Sequence, residues 1–313
     1  MSDSAGELAP VFDAERSFLW GLSYRLTGSA FDADDIVQET FVRAIEHPPR
    51  DRTRPWRPWL TRVALNVGRD LLRKRRRRRY EGPWLPELIS TADEAAPPSF
   101  EPREPGPAPR YDRLESVSLA FLLALEALTP GQRAVLLLRD VFDYSVRETA
   151  EALDFTEPNV KTTHLRARRA MEAYDREREV PTPPRQAQAA ETLQRFLTCL
   201  ASHDVAGVES MLADDVRALS DGGGEFYAAL RPILGRDKVV RFFVGLTERA
   251  GAPERIDSVM VNGLPAVMLT FAQETARYAP RVIMQVRIGA DGRVSEVYLV
   301  LASRKLAALG AAR

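Results

Sequence analysis

Apolar positions recur at helical spacing in the first quarter of the chain. Between Phe31 and Glu46, Ile36, Val37, Phe41, Ala44 and Ile45 share one side while Asp35, Gln38, Glu39 and Glu46 fall on the other, which predicts an amphipathic helix. Leu60, Val63, Ala64, Val67 and Leu71 form a second stripe spaced by threes and fours, opposite Arg62, Asn66, Arg69 and Arg73. This second helix runs into the basic tract Arg73-Lys74-Arg75-Arg76-Arg77-Arg78-Arg79. From Glu81 to Arg110 the periodicity stops. Pro97-Pro98, Pro102, Pro105, Pro107 and Pro109 exclude helix interiors and central strands there, and predict an extended linker.

Helical patterning resumes over residues 112–178 with two readable starts. Thr129-Pro130-Gly131-Gln132 offers a capping Thr, Pro at the first helical position and Gln three residues on, and Ser145-Val146-Arg147-Glu148 repeats the capping-box logic. A turn near Asp154–Thr156 then leads into a basic helix from Pro158 to Arg169. Short helix, tight turn, basic helix is the helix-turn-helix pattern. After a short break at Pro181–Pro184, one helical run (Ala187 to about Ser202) precedes apolar segments of strand character. These are Val259–Val261, Ala266–Phe271, Val282–Ile288 and Val294–Val300, with Asn262-Gly263 and Asp291-Gly292 as hairpin-type turns. The chain is therefore expected to be multidomain: two all-α helical modules at 1–80 and 111–180, a Pro-rich linker at 81–110, and an α+β domain at 185–313 built on a curved antiparallel sheet.

Composition narrows the function classes. The 313 residues carry 44 Lys+Arg and 44 Asp+Glu, so any affinity for nucleic acid must come from local charge, which is concentrated between Arg52 and Arg79. A single cysteine, Cys199, excludes an internal disulfide and argues against a cysteine-ligated metal, and the three histidines (His47, His164, His203) are scattered. No cofactor is expected. With no apolar run approaching a membrane span and no signal-peptide pattern, a cytoplasmic chain that makes no membrane contact and is monomeric when free is expected.

The candidate chemistry is recognition. Cations track phosphates and aromatics stack on unpaired bases, which makes Trp56, Trp59, Arg62, Asn66, Arg69 and Arg73 a candidate single-strand surface. A solvated basic tract is the competing reading of the arginines, and core packing that of Trp59. On the basic helix, Val160, Ala167 and Met171 form a buried side, leaving Asn159, Lys161, Thr162, Arg166 and Arg169 for duplex DNA. An ordinary surface helix pair is the alternative there, and His164 reads as a packed histidine. Asp221-Gly222-Gly223-Gly224-Glu225 suits either a close approach of two segments or a flexible loop tip. Asp204, Asp214, Asp215 and Glu274 are available for acid–base chemistry, but nothing marks a coupled pair among them.

Asp34-Asp35-Ile36-Val37-Gln38-Glu39-Thr40-Phe41-Val42-Arg43-Ala44 resembles the core-polymerase-binding helix in region two of extracytoplasmic-function (ECF) sigma factors. The Trp59–Asn66–Arg73 helix resembles their promoter −10 element, and residues 112–178 resemble region four, which reads the −35 element. The resemblance implies a non-catalytic alternative sigma factor whose partners are bacterial core RNA polymerase and promoter DNA. It assigns polymerase contacts to Asp35, Gln38, Glu39 and Arg43, with Ile36, Val37 and Phe41 in the core. The C-terminal part resembles the SnoaL-like, NTF2-fold extension of the sigma J-type subgroup. Trp84-Leu85-Pro86-Glu87-Leu88 is similar to the subgroup's W-L-P-E-P, Asp221–Glu225 to its D-G-G-G-K, and Ser303-Arg304-Lys305-Leu306 loosely to its N-P-D-K-L. The resemblance places Trp84, Leu85, Pro86, Glu87 and the Asp221–Glu225 loop at a regulatory contact between extension and sigma core. It also implies a cone-shaped pocket for an unidentified small ligand. A plain helix-turn-helix regulator with a ligand-sensing NTF2-like domain is the other reading, and it leaves the polar face around Asp35, Gln38 and Glu39 without a role.

Overall fold

The computed structural model of the chain describes residues 2–77, 80–92, 109–178, 180–272 and 277–309. The arginine side chains beyond Arg75, the prolines from Pro97 to Pro107, and Glu274 lie outside the described residues. The chain forms two compact units, Met1–Arg79 with Asp93–Arg178 and Tyr80–Ala92 with Glu179–Arg313.

The first unit is all helical. It opens with α1 (Ser2–Thr27), α2 (Ala30–Glu46) and α3 (Arg57–Arg77). Ser29 starts α2 by accepting the Asp32 N–H at 3.0 Å, leaving fewer orphan donors at the helix start. Ile36 and Ala44 are fully buried and Val37 and Phe41 nearly so, but Ile45 is 54% exposed. It stands at the edge of the stripe, about 100° round the helix from Ala44. On α3 the buried side is Leu60, Ala64, Leu65 and Leu72, rotated from the expected stripe so that Val63 and Leu71 are half-buried. Gly68 makes that rotation tolerable: a Cβ there would sit 2.5 Å from Leu26 Cδ2, so α3 passes α1 closer than any larger residue permits.

The rest of this unit is α4 (Leu119–Ala124), α5 (Pro130–Leu136), α6 (Val146–Leu153), α7 (Glu157–Ala170) and α8 (Glu172–Arg176). Both expected capping boxes are present, Thr129 with Gln132 and Ser145 with Glu148. Thr156 caps α7, and Asp154 ends α6 in the left-handed conformation at φ 56°, which makes the tight turn of the helix-turn-helix. Leu137–Val141 is a π-helical turn after α5.

The second unit combines helices and a sheet, the architecture expected of an NTF2-like domain. α9 (Pro183–Ala201) begins at the prolines read as a break, because Pro is accommodated at the first helical positions. α10 (Val205–Met211), β1 (Leu212–Asp221), β2 (Ile233–Leu234) and α11 (Arg236–Ala250) follow. Then come β3 (Arg255–Val261), β4 (Leu264–Thr270), β5 (Arg281–Ile288), β6 (Val294–Val300) and the short α12 (Ser303–Leu306). The sheet order is β2-β1-β6-β5-β4-β3. It is mixed rather than purely antiparallel, since β1 runs parallel to β6. α9, α10 and α11 cover one face over an apolar core that includes Phe196 and Phe243, whose rings meet edge to face at 5.2 Å.

Tyr80–Ala92, which the expected boundaries divide between the end of the first helical module and the start of the linker at 81, is a strap built into this unit. Leu85, Leu88 and Ile89 are buried. Leu88 N–H donates to Lys305 O at 3.2 Å, Ile89 N–H to Asn262 Oδ1 at 3.0 Å and Thr91 N–H to Met260 O at 2.9 Å. Ser90 bridges Val261 in antiparallel register. Three apolar side chains and paired backbone donors hold this stretch in place, although it also contains Pro83 and Pro86.

Candidate functional site

Three surfaces carry the candidate residues. On α2, Asp35, Gln38 and Arg43 are exposed and Glu39 is half-buried, with Arg43 Nε 2.8 Å from Glu39 Oε1. Asp35, Gln38 and Glu39 border a groove of about 310 Å³ between α2 and α3, lined also by Ile36, Val42, Val67 and Leu71. The sequence reading treated Leu71 as core and left out Val42. Yet Val42 is 40% exposed, on the polar side of an amphipathic helix, and that mismatch was the available signal.

On α3, Trp59, Arg62, Asn66, Arg69 and Arg73 follow one another at spacings of three and four and so share a face. The two tryptophans are half-buried, pack edge to face at 6.2 Å and lie against the core of this helical trio. Asn66 is exposed and Arg73 is paired with Asp70 at 2.7 Å. Arg62 and Arg69 reach the turn between α6 and α7: Arg62 meets Asp154 at 3.4 Å, and the Arg69 guanidinium lies 5.2 Å from the centre of the Phe155 ring. Burial, reinforced by Arg73 nearby, holds Arg69 below the ordinary arginine value. Two of the six candidate −10 residues are thus occupied by the helix-turn-helix of the same unit.

On α7, Asn159, Lys161, Thr162, Arg166 and Arg169 are all exposed, while Val160, Ala167 and Met171 are fully buried. The helix is held in rotation by Asp140, buried in the π-helical turn. Its carboxylate meets His164 Nε2 at 2.9 Å and Arg168 at 2.8 and 3.1 Å. Burial opposes the charge on Asp140, but hydrogen bonds from His164 and Arg168 outweigh it and hold the carboxyl below its ordinary value of 3.8. A lowered folded-state value stabilises the fold above the ordinary carboxylate range, and that contribution is lost as the pH falls through the lowered value. Asp140→Asn is expected to lower stability at pH 7 by about 1–3 kcal/mol and to flatten the loss below pH ~4, read as denaturant midpoints at pH 7 and pH 3. Leu165, which the sequence reading passed over, is 52% exposed on this helix.

In the second unit, Asp221 gathers the motif residues. Its buried carboxylate accepts the Tyr80 hydroxyl at 2.6 Å, Leu85 N–H at 2.7 Å, Gly223 N–H at 3.0 Å and Lys305 Nζ at 2.5 Å. Lys305 also donates to Leu85 O, and its ammonium lies 4.8 Å from each of the Tyr80 and Trp84 rings. Pro86 and Glu87 are buried, with Glu87 3.9 Å from Arg304. The three motif segments, Trp84–Leu88, Asp221–Glu225 and Ser303–Leu306, thus meet one another within the second unit. Glu225 accepts the Ser303 N–H at 3.2 Å, so its carboxylate sits at the start of α12. The triplet is a close approach rather than a loop tip: a Cβ on Gly222 would meet Phe226 O at 2.4 Å and one on Gly223 would meet Ala302 Cβ at 2.8 Å.

With these surfaces in place, comparison with known proteins gives the class. The Sigma-70 region 2 family model matches residues 11–78 and the Sigma-70, region 4 model matches residues 118–171. The chain belongs to the ECF RNA polymerase sigma factors. It is 36% identical over 242 residues to the ECF RNA polymerase sigma factor SigJ of Mycobacterium tuberculosis, spanning 77% of this chain and 73% of that one. SigG of the same species is 32% identical over 225 residues, 64% of this chain and 57% of SigG. The crystal structure of M. tuberculosis SigJ superposes with a TM-score of 0.70 at 29% identity, covering 96% of this chain and 98% of that one. No helix among the described residues is long and apolar enough to cross a membrane.

Proposed function

We propose that the chain brings core RNA polymerase to promoters by dividing recognition among the three surfaces of its first unit. The groove between α2 and α3, rimmed by Asp35, Gln38 and Glu39 with Arg43 paired to Glu39 beside it, receives a polymerase helix: an apolar floor with a charged rim suits an amphipathic partner. Trp56, just ahead of α3, and the α3 face with Trp59, Arg62, Asn66, Arg69 and Arg73 take the melted −10 strand, and α7 takes the −35 major groove. The chain binds and positions without chemistry of its own, and acts in the cytoplasm with the polymerase. The observation that carries this reading is the occupation of Arg62 and Arg69 by the α6–α7 turn. A single-strand surface with two of its arginines engaged by the duplex-reading module describes a factor at rest, whose modules must separate to free them. The second unit, which takes up the strap that follows α3 in the sequence, would regulate that separation in cis.

In vitro transcription with core polymerase tests the assignment, and promoter-dependent transcripts are expected. Their absence at every promoter selected from a randomised pool would overturn it. Gln38→Ala with Glu39→Arg is expected to weaken core binding at least tenfold, since it reverses a charge at the rim while leaving the buried side of α2 intact; titration of labelled protein with core polymerase reads the change.

A further inference from the structure

The reading face of α7 contains one residue that polar recognition leaves unexplained. Leu165 is 52% exposed, although the helix already buries Val160, Ala167 and Met171 completely. At about 100° per residue those three cluster within roughly 40° of arc, and Leu165 stands about 140° from the middle of the cluster. Thr162 and Arg169 lie within about 60° of it on the outward side, with Lys161 on its other flank. The rotation is not adjustable, because Asp140 grips His164 and Arg168 from beneath. Leu165 is therefore held outward, between Lys161 and Arg169 on the surface that the −35 reading turns towards DNA.

We propose that Leu165 is a specificity-determining residue that reads the C5-methyl group of a thymine in the −35 element. The inference rests on α7 being the duplex-reading helix and goes one step further. Among the base edges of the major groove, the thymine methyl is the apolar group, and an aliphatic side chain is its natural complement. Facing cytosine or a purine edge, Leu165 would instead cover polar groups without pairing them. Thr162 and Arg169 beside it satisfy neighbouring polar edges and phosphates, so the methyl contact adds selectivity to a position already set by charge.

The test uses the full chain assembled with core polymerase and a −35 element selected from randomised duplexes. Each thymine of that element is replaced in turn by deoxyuridine, which removes the methyl and keeps the base pair. One position is expected to lose about three- to fivefold in affinity, the worth of one buried methyl-sized group. Leu165→Ala is expected to bind the thymine duplex more weakly and to respond to deoxyuridine at that position by less than about 1.5-fold. An exposed leucine can be truncated without disturbing the fold. Indifference of the unaltered protein to every deoxyuridine overturns the proposal. So does a full deoxyuridine penalty persisting in Leu165→Ala, or a selected element that holds no thymine. A polymerase complex that selects no −35 element at all overturns the proposal together with the reading beneath it, whereas selection without methyl dependence overturns the proposal alone.

Discussion

Replacing Lys305 by methionine is expected to lower the stability of the second unit by about 3–5 kcal/mol, the usual cost of leaving a buried charge without its partner. Asp221 and Lys305 are both buried, with 1% and 7% of their surface exposed. The carboxylate also accepts donors from Tyr80, Leu85 and Gly223. Methionine keeps most of the aliphatic stem of Lys305 and removes the cation, which isolates the electrostatic contribution from packing. Urea unfolding of the full chain should show the loss. Protease cleavage within residues 80–92 should rise with it, because Lys305 also holds Leu85 O and the Tyr80 and Trp84 rings. Combining Lys305→Met with Asp221→Asn should recover part of the loss, since two neutral groups in that site cost less than one lone charge. A fall below 1 kcal/mol, with an unchanged cleavage rate, would show that the strap is held by its apolar side chains alone.

That cluster also shows where sequence reasoning stopped. The helix starts were legible because capping boxes are local: Thr129 with Gln132 and Ser145 with Glu148 lie three residues apart, and both formed. The buried side of α7 was legible for the same reason. β1 was not, because Asp214 and Asp215 break its alternation and its place in the sheet comes from parallel pairing with β6, some 80 residues away. Nor was α11, although its buried Val239, Val240 and Phe243 follow helical spacing; it lies between the helical run ending near Ser202 and the first expected strand at Val259, where no element is expected. The strap failed on composition. Prolines were weighed as a linker signal, while the partners of Leu85, Ile89 and Tyr80 lie more than 130 residues along the chain. The candidate site was legible as residue types on helix faces. That Arg62 and Arg69 would spend their charge on the α6–α7 turn was not, because the turn offers an acid and a ring that only folding brings to α3.

Arg25→Met is expected to open the first unit and to raise the affinity of the free protein for a −10 single strand by about tenfold or more. Arg25 is 6% exposed, and burial lowers its guanidinium to about 10, so it remains charged at neutral pH. From α1 it donates to Ser116 Oγ at 2.8 Å and to Arg113 O at 3.2 Å, just ahead of α4. These bonds join the trio α1–α3 to the helices that carry the helix-turn-helix, together with Arg133 to Leu26 O at 2.9 Å and the Thr61–Tyr144 hydroxyl pair at 3.2 Å. An interface held by buried polar bonds is one water can replace when the modules part, whereas a purely apolar one would leave sticky surface on both. Removing Arg25 takes away the donor to Ser116 Oγ and one of the two donors to Arg113 O, and should cost the closed arrangement about 2–4 kcal/mol. Glu126→Lys is the safer companion, because Glu126 is 38% exposed at its side chain and pairs with both Arg75 and Arg133. Reversing its charge sets three cations together across the same seam. Both variants should increase the radius of gyration in solution scattering and tighten binding of a labelled −10 oligonucleotide. An unchanged radius with unchanged affinity in both would mean that the arginines of α3 reach DNA without leaving the α6–α7 turn, and that the closed arrangement is the working one.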